Sequence, residues 1–246
     1  MTAAPRPRTR APALPRPKAV ITDIDGTLTD RERRIDLGAV RALTHLQRQG
    51  VPVLFATGNV LPVVLGLQRF LGLKGPIIAE NGGLVYFGED RVVRLARREV
   101  ALRAFERARR TLDVKPLFTD RWRETEVALE PTVPVDQVEL AVRGCGVRVE
   151  STGFAIHLFE PSAGKLPACR LALSELGLTL QDCLVTGDGD NDVGILEAAG
   201  TGVTFPDASE AAKASAGHIT RAKHGAGFLE ALTRSRLLAP GWERRD

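Results

Sequence analysis

Cysteine is scarce in this chain, limited to Cys145, Cys169 and Cys183. An odd number with no C-x-x-C spacing excludes a disulfide framework and a cysteine-rich zinc site, and a reducing cytoplasm is the expected setting. Long apolar runs are also missing. The uncharged stretch from Gln49 to Gln68 is broken by Pro52, Gly58-Asn59 and Pro62, so it reads as strand, turn and helix, and no membrane is expected as a partner. The N-terminal segment has no apolar stretch of the kind a secretory signal needs. Acidic residues are absent from the first eighteen positions, which hold Arg6, Arg8, Arg10, Arg16 and Lys18. Without those five positive charges the formal net charge of +4 becomes −1, so the basicity belongs to a leader and not to the body of the protein. Residues 1–17, rich in Pro and Arg, are expected to be a disordered leader. A nucleic-acid-binding arm is the alternative to an inert extension there, and nucleic acid is not an expected partner otherwise.

What is present points to a folded α/β protein, since 43% hydrophobic residues supply a sizeable core. Short β-branched runs alternate with helical stretches, the signature of parallel βαβ units. Ala19 to Thr22 is a strand apolar on both faces. Leu37 to Gln49 is a helix with Leu37, Val40, Leu43 and Leu46 as its apolar stripe, Asp36 as its cap and Gly50 as its stop. Val51 to Ala56 is a second strand, Pro62 sits in the first turn of the next helix, and Pro76 to Ala79 is a third strand. Between about residues 84 and 160 the strands alternate, as in Glu126 to Glu130 and Arg148 to Glu150. Helices are expected near Arg97 to Thr111 and Val135 to Arg143. That texture suits an antiparallel sheet with helices on one face, hence an inserted α+β domain. The βα rhythm then resumes with a helix from Lys165 and a strand from Cys183 to Thr186.

The chemistry-bearing residues follow strands. Asp23-Ile-Asp25-Gly26-Thr27 leaves the first strand, and carboxylates two apart on extended backbone face one side. One reading makes Asp23 a nucleophile and metal ligand and Asp25 an acid and base; the other is a surface acidic turn. Gly187-Asp188-Gly189-Asp190-Asn191-Asp192 follows a second strand. Parallel strands put their C-terminal loops on one edge, so Asp23, Asp25, Asp188 and Asp192 can converge, and oxygen-only ligands select Mg²⁺. A calcium loop is excluded because Val193 stands where its glycine belongs and Ala199 where its glutamate belongs. Thr57-Gly58-Asn59 offers a hydroxyl and backbone N–H groups where a helix begins, or else a plain loop closure. Lys165 is one of only six lysines against twenty-eight arginines, a hint that a compact ammonium is wanted there, although a solvated lysine at a helix start is the simpler reading.

Taken in order, Asp23-x-Asp25-Gly26-Thr27, Thr57-Gly58-Asn59, Lys165 and Gly187-Asp188-x-x-Asn191-Asp192 resemble the four motifs of the haloacid-dehalogenase (HAD) superfamily. The insertion between the second and third is similar to its C2-type cap. Thr57 to Val64, Glu80-Asn81-Gly82-Gly83 and Arg121-Trp122-Arg123-Glu124 look like the archaeal-type phosphoglycolate phosphatases of the Cof-like group, over about residues 18 to 232. The resemblance implies a Rossmann-like HAD core at 18–83 plus 161–246 and a cap at 84–160. It implies Mg²⁺-dependent hydrolysis of a small phosphorylated substrate, phosphoglycolate first, through a phospho-aspartate on Asp23. Asp25 would be the acid and base and meet the metal through its carbonyl. Thr57, Gly58 and Lys165 would hold the phosphate, with Asp188 and Asp192 as the other metal ligands and Asp190 outside the set. A Cof-like sugar-phosphate phosphatase and a non-catalytic phosphate- or partner-binding module are the alternatives. The leader departs from the family pattern. Arg121, Trp122 and Arg123 are candidates to meet a substrate carboxylate, against a merely Arg-rich cap surface. His157 reads as a satisfied cap histidine, and His45, His218 and His224 form no ligand set. Oligomeric state stays open, a homodimer being one option.

Overall fold

The computed structural model describes residue 14 and residues 16–242. The chain opens with β1 (Ala19–Thr22), α1 (Leu37–Arg48), β2 (Val53–Ala56), α2 (Leu61–Leu71) and β3 (Ile77–Ala79), followed by a hairpin of β4 (Leu84–Gly88) and β5 (Arg91–Arg94). Next come α3 (Arg98–Ala108), β6 (Val127–Leu129), α4 (Val135–Ala141), β7 (Arg148–Ser151) and β8 (Ile156–Phe159). The remainder holds α5 (Lys165–Ser174), β9 (Cys183–Thr186), α6 (Val193–Ala198), β10 (Thr201–Thr204), α7 (Glu210–Ser215), β11 (His218–Ile219) and α8 (His224–Arg234).

An eight-stranded sheet in the order β11-β10-β9-β1-β2-β3-β4-β5 forms the centre. From β11 to β3 the strands are parallel, and each is buried by helices on both faces, except β11 at the edge. Successive residues enter opposite layers, as the pleat demands. Val20, Val53, Phe55 and Ile77 pack with α1, α2 and α8, while Ile21, Leu54, Ile78 and Val185 pack with α5, α6 and α7. In α1 the Asp36 side chain accepts a hydrogen bond from the Ala39 N–H at 2.8 Å, as a capping residue should. Its buried face is Ala39, Ala42, Leu43 and Leu46, shifted from the stripe expected from sequence, and Leu37 is 73% exposed. Two alanines on that face let α1 lie close to α8.

Two expectations need correction. Residues 84–94 are not part of the inserted domain, because β4 pairs antiparallel with β3 and β5 with β4, extending the large sheet. Burial falls from the enclosed Leu84 and Val85 to the part-exposed β5, as at the edge of a sheet. The leader falls mostly outside the described residues, at 1–13 and 15. Leu14, however, is 5% exposed, donates its N–H to the Arg234 carbonyl at 3.0 Å and joins the core layer of α1 and α8.

A second, three-stranded antiparallel sheet, β6-β8-β7, carries α3 and α4 on one face. Ile156 and Leu158 of β8 pack there with Ala101, Ala104 and Val138. All of β8 is buried, so its other face, with His157 and Phe159, is covered as well. No helix among the described residues is long and apolar enough to cross a membrane. Phe228 of α8 has no exposed surface in the layer that joins α1 to the sheet. Replacing it with alanine is expected to lower stability by about 3–5 kcal/mol in urea unfolding, from lost burial plus the cavity left behind.

Candidate active site

The strand order reverses at β1, with β2 on one side and β9 on the other, so a crevice opens beyond their carboxyl ends. Asp23 directly follows β1 and its N–H donates to the Thr186 carbonyl at 2.9 Å, which sets the loops after β1 and β9 side by side. The β1 loop then turns tightly, with the Thr27, Leu28 and Thr29 N–H groups all directed at the Ile24 carbonyl. Gly26 has φ +78°, and a Cβ on it would fall 2.2 Å from Asp188 Oδ2. Only glycine permits that approach. Thr27 Oγ1 donates to Asp188 Oδ1 at 2.9 Å, tying the two loops together.

Asp23, Asp188 and Asp192 each present an oxygen within 4.8 Å of the others. Lys165, at the start of α5 and fully enclosed, donates to Asp192 Oδ1 at 2.7 Å and to Asp23 Oδ1 at 3.0 Å. Asp192 also accepts the Asp188 and Gly189 N–H groups at 3.1 Å. One ammonium thus pairs with two buried carboxylates, and the half-buried Asp188 adds a third beside them. Burial works against the charge of Lys165, but Asp192 and Asp23 outweigh it and hold the ammonium above its ordinary pKa. Burial pushes the Asp23 carboxyl well up, Lys165 opposing and Asp192 and Asp188 adding to the rise. Asp188 is pushed up to about 7, by burial first and by Asp192 second. An all-oxygen, overly negative cluster of this kind suits a hard divalent cation, which supplies the missing positive charge. Asp25 turns its carboxylate elsewhere: it accepts from Asn59 Nδ2 and lines the cleft. The expected convergence of four carboxylates is therefore a cluster of three with Asp25 beside it.

Gly58 also lines the cleft, whereas Thr57 lies fully buried behind it, its Oγ1 accepting the Asn59 N–H at 3.1 Å. Across from these residues stands a buried polar cluster from the smaller sheet. Glu126 receives Arg123 and lies 3.0 Å from His157 Nδ1; burial opposes its charge, but Arg123 and His157 outweigh that and hold its carboxyl below the usual range. Arg123 also donates to the Gly58 carbonyl at 2.9 Å. Asn81 donates to Glu126 at 3.0 Å and accepts from Asn191 at 2.9 Å, so it links the smaller sheet to the β9 loop. Glu80 accepts from the Glu124 and Thr125 N–H groups and from Thr125 Oγ1 at 2.6 Å. Glu80 and Asn81 both hold positive φ, +52° and +53°, a strained pair that these bonds keep in place. Between the two walls is a cavity of about 100 Å³, small beside the roughly 300–1,000 Å³ of pockets for drug-sized ligands.

Comparison with known proteins agrees with this geometry. The model of the haloacid dehalogenase-like hydrolases matches residues 20–107 and 137–232. The chain belongs to that family. This hydrolase is 37% identical over 217 residues to the phosphoglycolate phosphatase of Methanothermobacter thermautotrophicus, covering 88% of this chain and 98% of that one. With the phosphoglycolate phosphatase of Methanopyrus kandleri it shares 38% over 219 residues, 87% and 94% of the two chains. Among solved structures, a Thermoplasma acidophilum protein superposes with a TM-score of 0.83 at 26% identity, covering 92% of this chain and all of that one. A haloacid dehalogenase-like hydrolase from Bacteroides thetaiotaomicron gives 0.72 at 20% identity, over 90% and 99% of the chains, a likeness of fold.

Of the cap arginines singled out from sequence, only Arg123 reaches the cleft. Arg121 is stacked over Phe118 and Trp122, and Trp122 is largely exposed. His157 is buried and paired as expected, but it also lines the cleft. The ring nitrogens of His224 face the Gly26 carbonyl at 2.7 Å and Asp207 at 3.0 Å. Sequence reasoning missed Glu126, whose pairing with His157 depends on β6 lying beside β8, and passed over the positional role of Asn81 within the Glu80 to Gly83 segment it had noticed.

A raised carboxyl binds its proton more tightly in the folded chain than in the unfolded one, where Asp titrates near about 4. Without metal, stability should therefore fall as pH rises from about 4 through about 7. In chelator at pH 8, Asp188→Asn is expected to melt several degrees above the unsubstituted protein, about 1 kcal/mol moving Tm by about 2–4 °C. Mg²⁺ should raise the Tm of the unsubstituted protein and do little for the variant. A variant that melts lower than the parent in chelator would contradict this account of the cluster.

Proposed function

We propose that this hydrolase is a Mg²⁺-dependent phosphoglycolate phosphatase, converting 2-phosphoglycolate and water to glycolate and phosphate. The observation that carries the reading is the Asp23, Asp188 and Asp192 triad around Lys165 at the crevice of the parallel sheet. The curated relatives named phosphoglycolate phosphatase support the substrate, and so does the small cavity, which suits a two-carbon leaving group.

In this reading Asp23, Asp188, Asp192 and the Asp25 carbonyl would hold the cation, which when bound would draw charge from the phosphoryl oxygens. Asp23 attacks phosphorus in line. The ester oxygen leaves toward Asp25, which hands it a proton and keeps its orientation through Asn59. Asp25 then takes a proton from the water that hydrolyses the phospho-aspartate, so Asp23 is regenerated and phosphate departs. Lys165 balances charge beside the nucleophile, and Gly58, backed by the buried Thr57, offers its N–H to the phosphoryl oxygens. The smaller sheet with α3 and α4, from about residue 95 to 160, serves as the cap, and residues 18–94 with 161–242 serve as the core.

Purified protein should release phosphate from 2-phosphoglycolate with the highest kcat/KM of a phosphomonoester panel, and chelation should abolish release. Asp23→Asn should lose at least about a thousandfold in kcat, the scale of an essential nucleophile, while its circular dichroism stays that of the parent. Substantial turnover by that variant would remove Asp23 as nucleophile, and comparable rates across many esters would replace phosphoglycolate with a broad sugar-phosphate specificity.

A further inference from the structure

The core side of the cleft is acidic, with Asp23, Asp25 and Asp188 lining it. A bound metal and Lys165 would answer the phosphoryl group, but a second anionic group on the substrate would need a cation of its own. Three basic side chains line the cavity: Arg123, His157 and Arg33. Arg123 and His157 both engage Glu126. Arg33 has no carboxylate partner among the described residues, and its guanidinium lies over the ring of Phe154, 4.4 Å from the centroid.

Arg91, Arg94 and Arg97 reach Glu175, Glu124 and Glu160. Asp30, three residues from Arg33, instead accepts the Arg34 N–H at 2.8 Å. The turn itself is closed by a Thr29–Ile35 bridge and by the Asp30 and Arg33 N–H groups donating to the Arg34 and Asp30 carbonyls. Arg33 takes φ +61° there, where glycine or asparagine would sit with less strain, so the turn holds an arginine at a backbone cost. Phe154 belongs to the β7–β8 connection and also lines the cavity, so the contact joins the two walls of the cleft. Stacking uses the face of the guanidinium and leaves its in-plane N–H fork free, the geometry that grips a carboxylate.

We propose that Arg33, positioned by Phe154, recognises the carboxylate of the substrate's leaving group and thereby selects short phosphomonoesters bearing an acid next to the ester carbon. The inference rests on the phosphoglycolate reading. It is tested by comparing kcat/KM for 2-phosphoglycolate with that for ethyl phosphate, which has the same carbon count without the acid. Arg33→Ala should shrink the preference for 2-phosphoglycolate by about 10- to 100-fold, as expected for a lost charge-assisted pair, with the change mainly in KM. Arg33→Lys keeps the charge without the fork and should fall between, while Arg121→Ala, an exposed cap arginine outside the cleft, should keep the parent's preference. An Arg33→Ala enzyme that retains that preference overturns the proposal and leaves the phosphoglycolate reading standing. An unsubstituted enzyme with no preference between the two esters overturns both.

Discussion

Three clustered carboxylates, two of them buried against a single ammonium, are an unfavourable arrangement for a chain to fold into, and much of the surrounding structure exists to hold it. Asp192 receives two backbone N–H groups and Lys165, and Asp188 receives Thr27. The parallel strands β1 and β9 supply the frame, because their shared register delivers two acidic loops to one edge. The excess negative charge is the property that a divalent cation and a phosphoryl transfer can use, so the cost in stability and the capacity for chemistry have one origin.

The cap completes the site through polar contacts, beside a small apolar cluster of Ala96, Phe159 and Ala163. Its segment from Arg123 to Glu126 is bonded to Glu80, Asn81 and Gly58, all in loops at the same sheet edge. A buried ion pair of this kind contributes little net stability against an apolar alternative, but losing one partner is costly. Its effect is geometric: it sets Arg123 and His157 at fixed positions in the wall of the cleft. Gly82, at φ +89°, allows the Gly164 carbonyl to come within 2.1 Å of where a Cβ would stand, so the loop beneath the cap and the residue before Lys165 are packed together.

The catalytic motifs were legible in the sequence because each lies just after a strand or at a helix start, and a parallel sheet turns that local rule into a shared location. Leu84 to Arg94 were misplaced because local sequence texture says nothing about which sheet a strand joins. The buried stripe of α1 was misjudged because alanine packs at close helix contacts where leucine was expected. Leu14 looked like leader because composition cannot show that one apolar residue finds a slot beside α8.

The amino-acid sequence by itself determined the α/β class and the order of the four motifs, with Asp23, Asp25, Asp188 and Asp192 in loops after strands and Lys165 at a helix start, since those depend on local patterns. Tertiary structure decided which carboxylates share a cluster, that Asp25 turns to Asn59, and that Glu126 meets both Arg123 and His157. It also decided that Arg33 and Phe154, 121 positions apart, face each other across the cleft. The reason is physical: such pairings depend on strand register and on how one sheet sits over another, and no local periodicity encodes either.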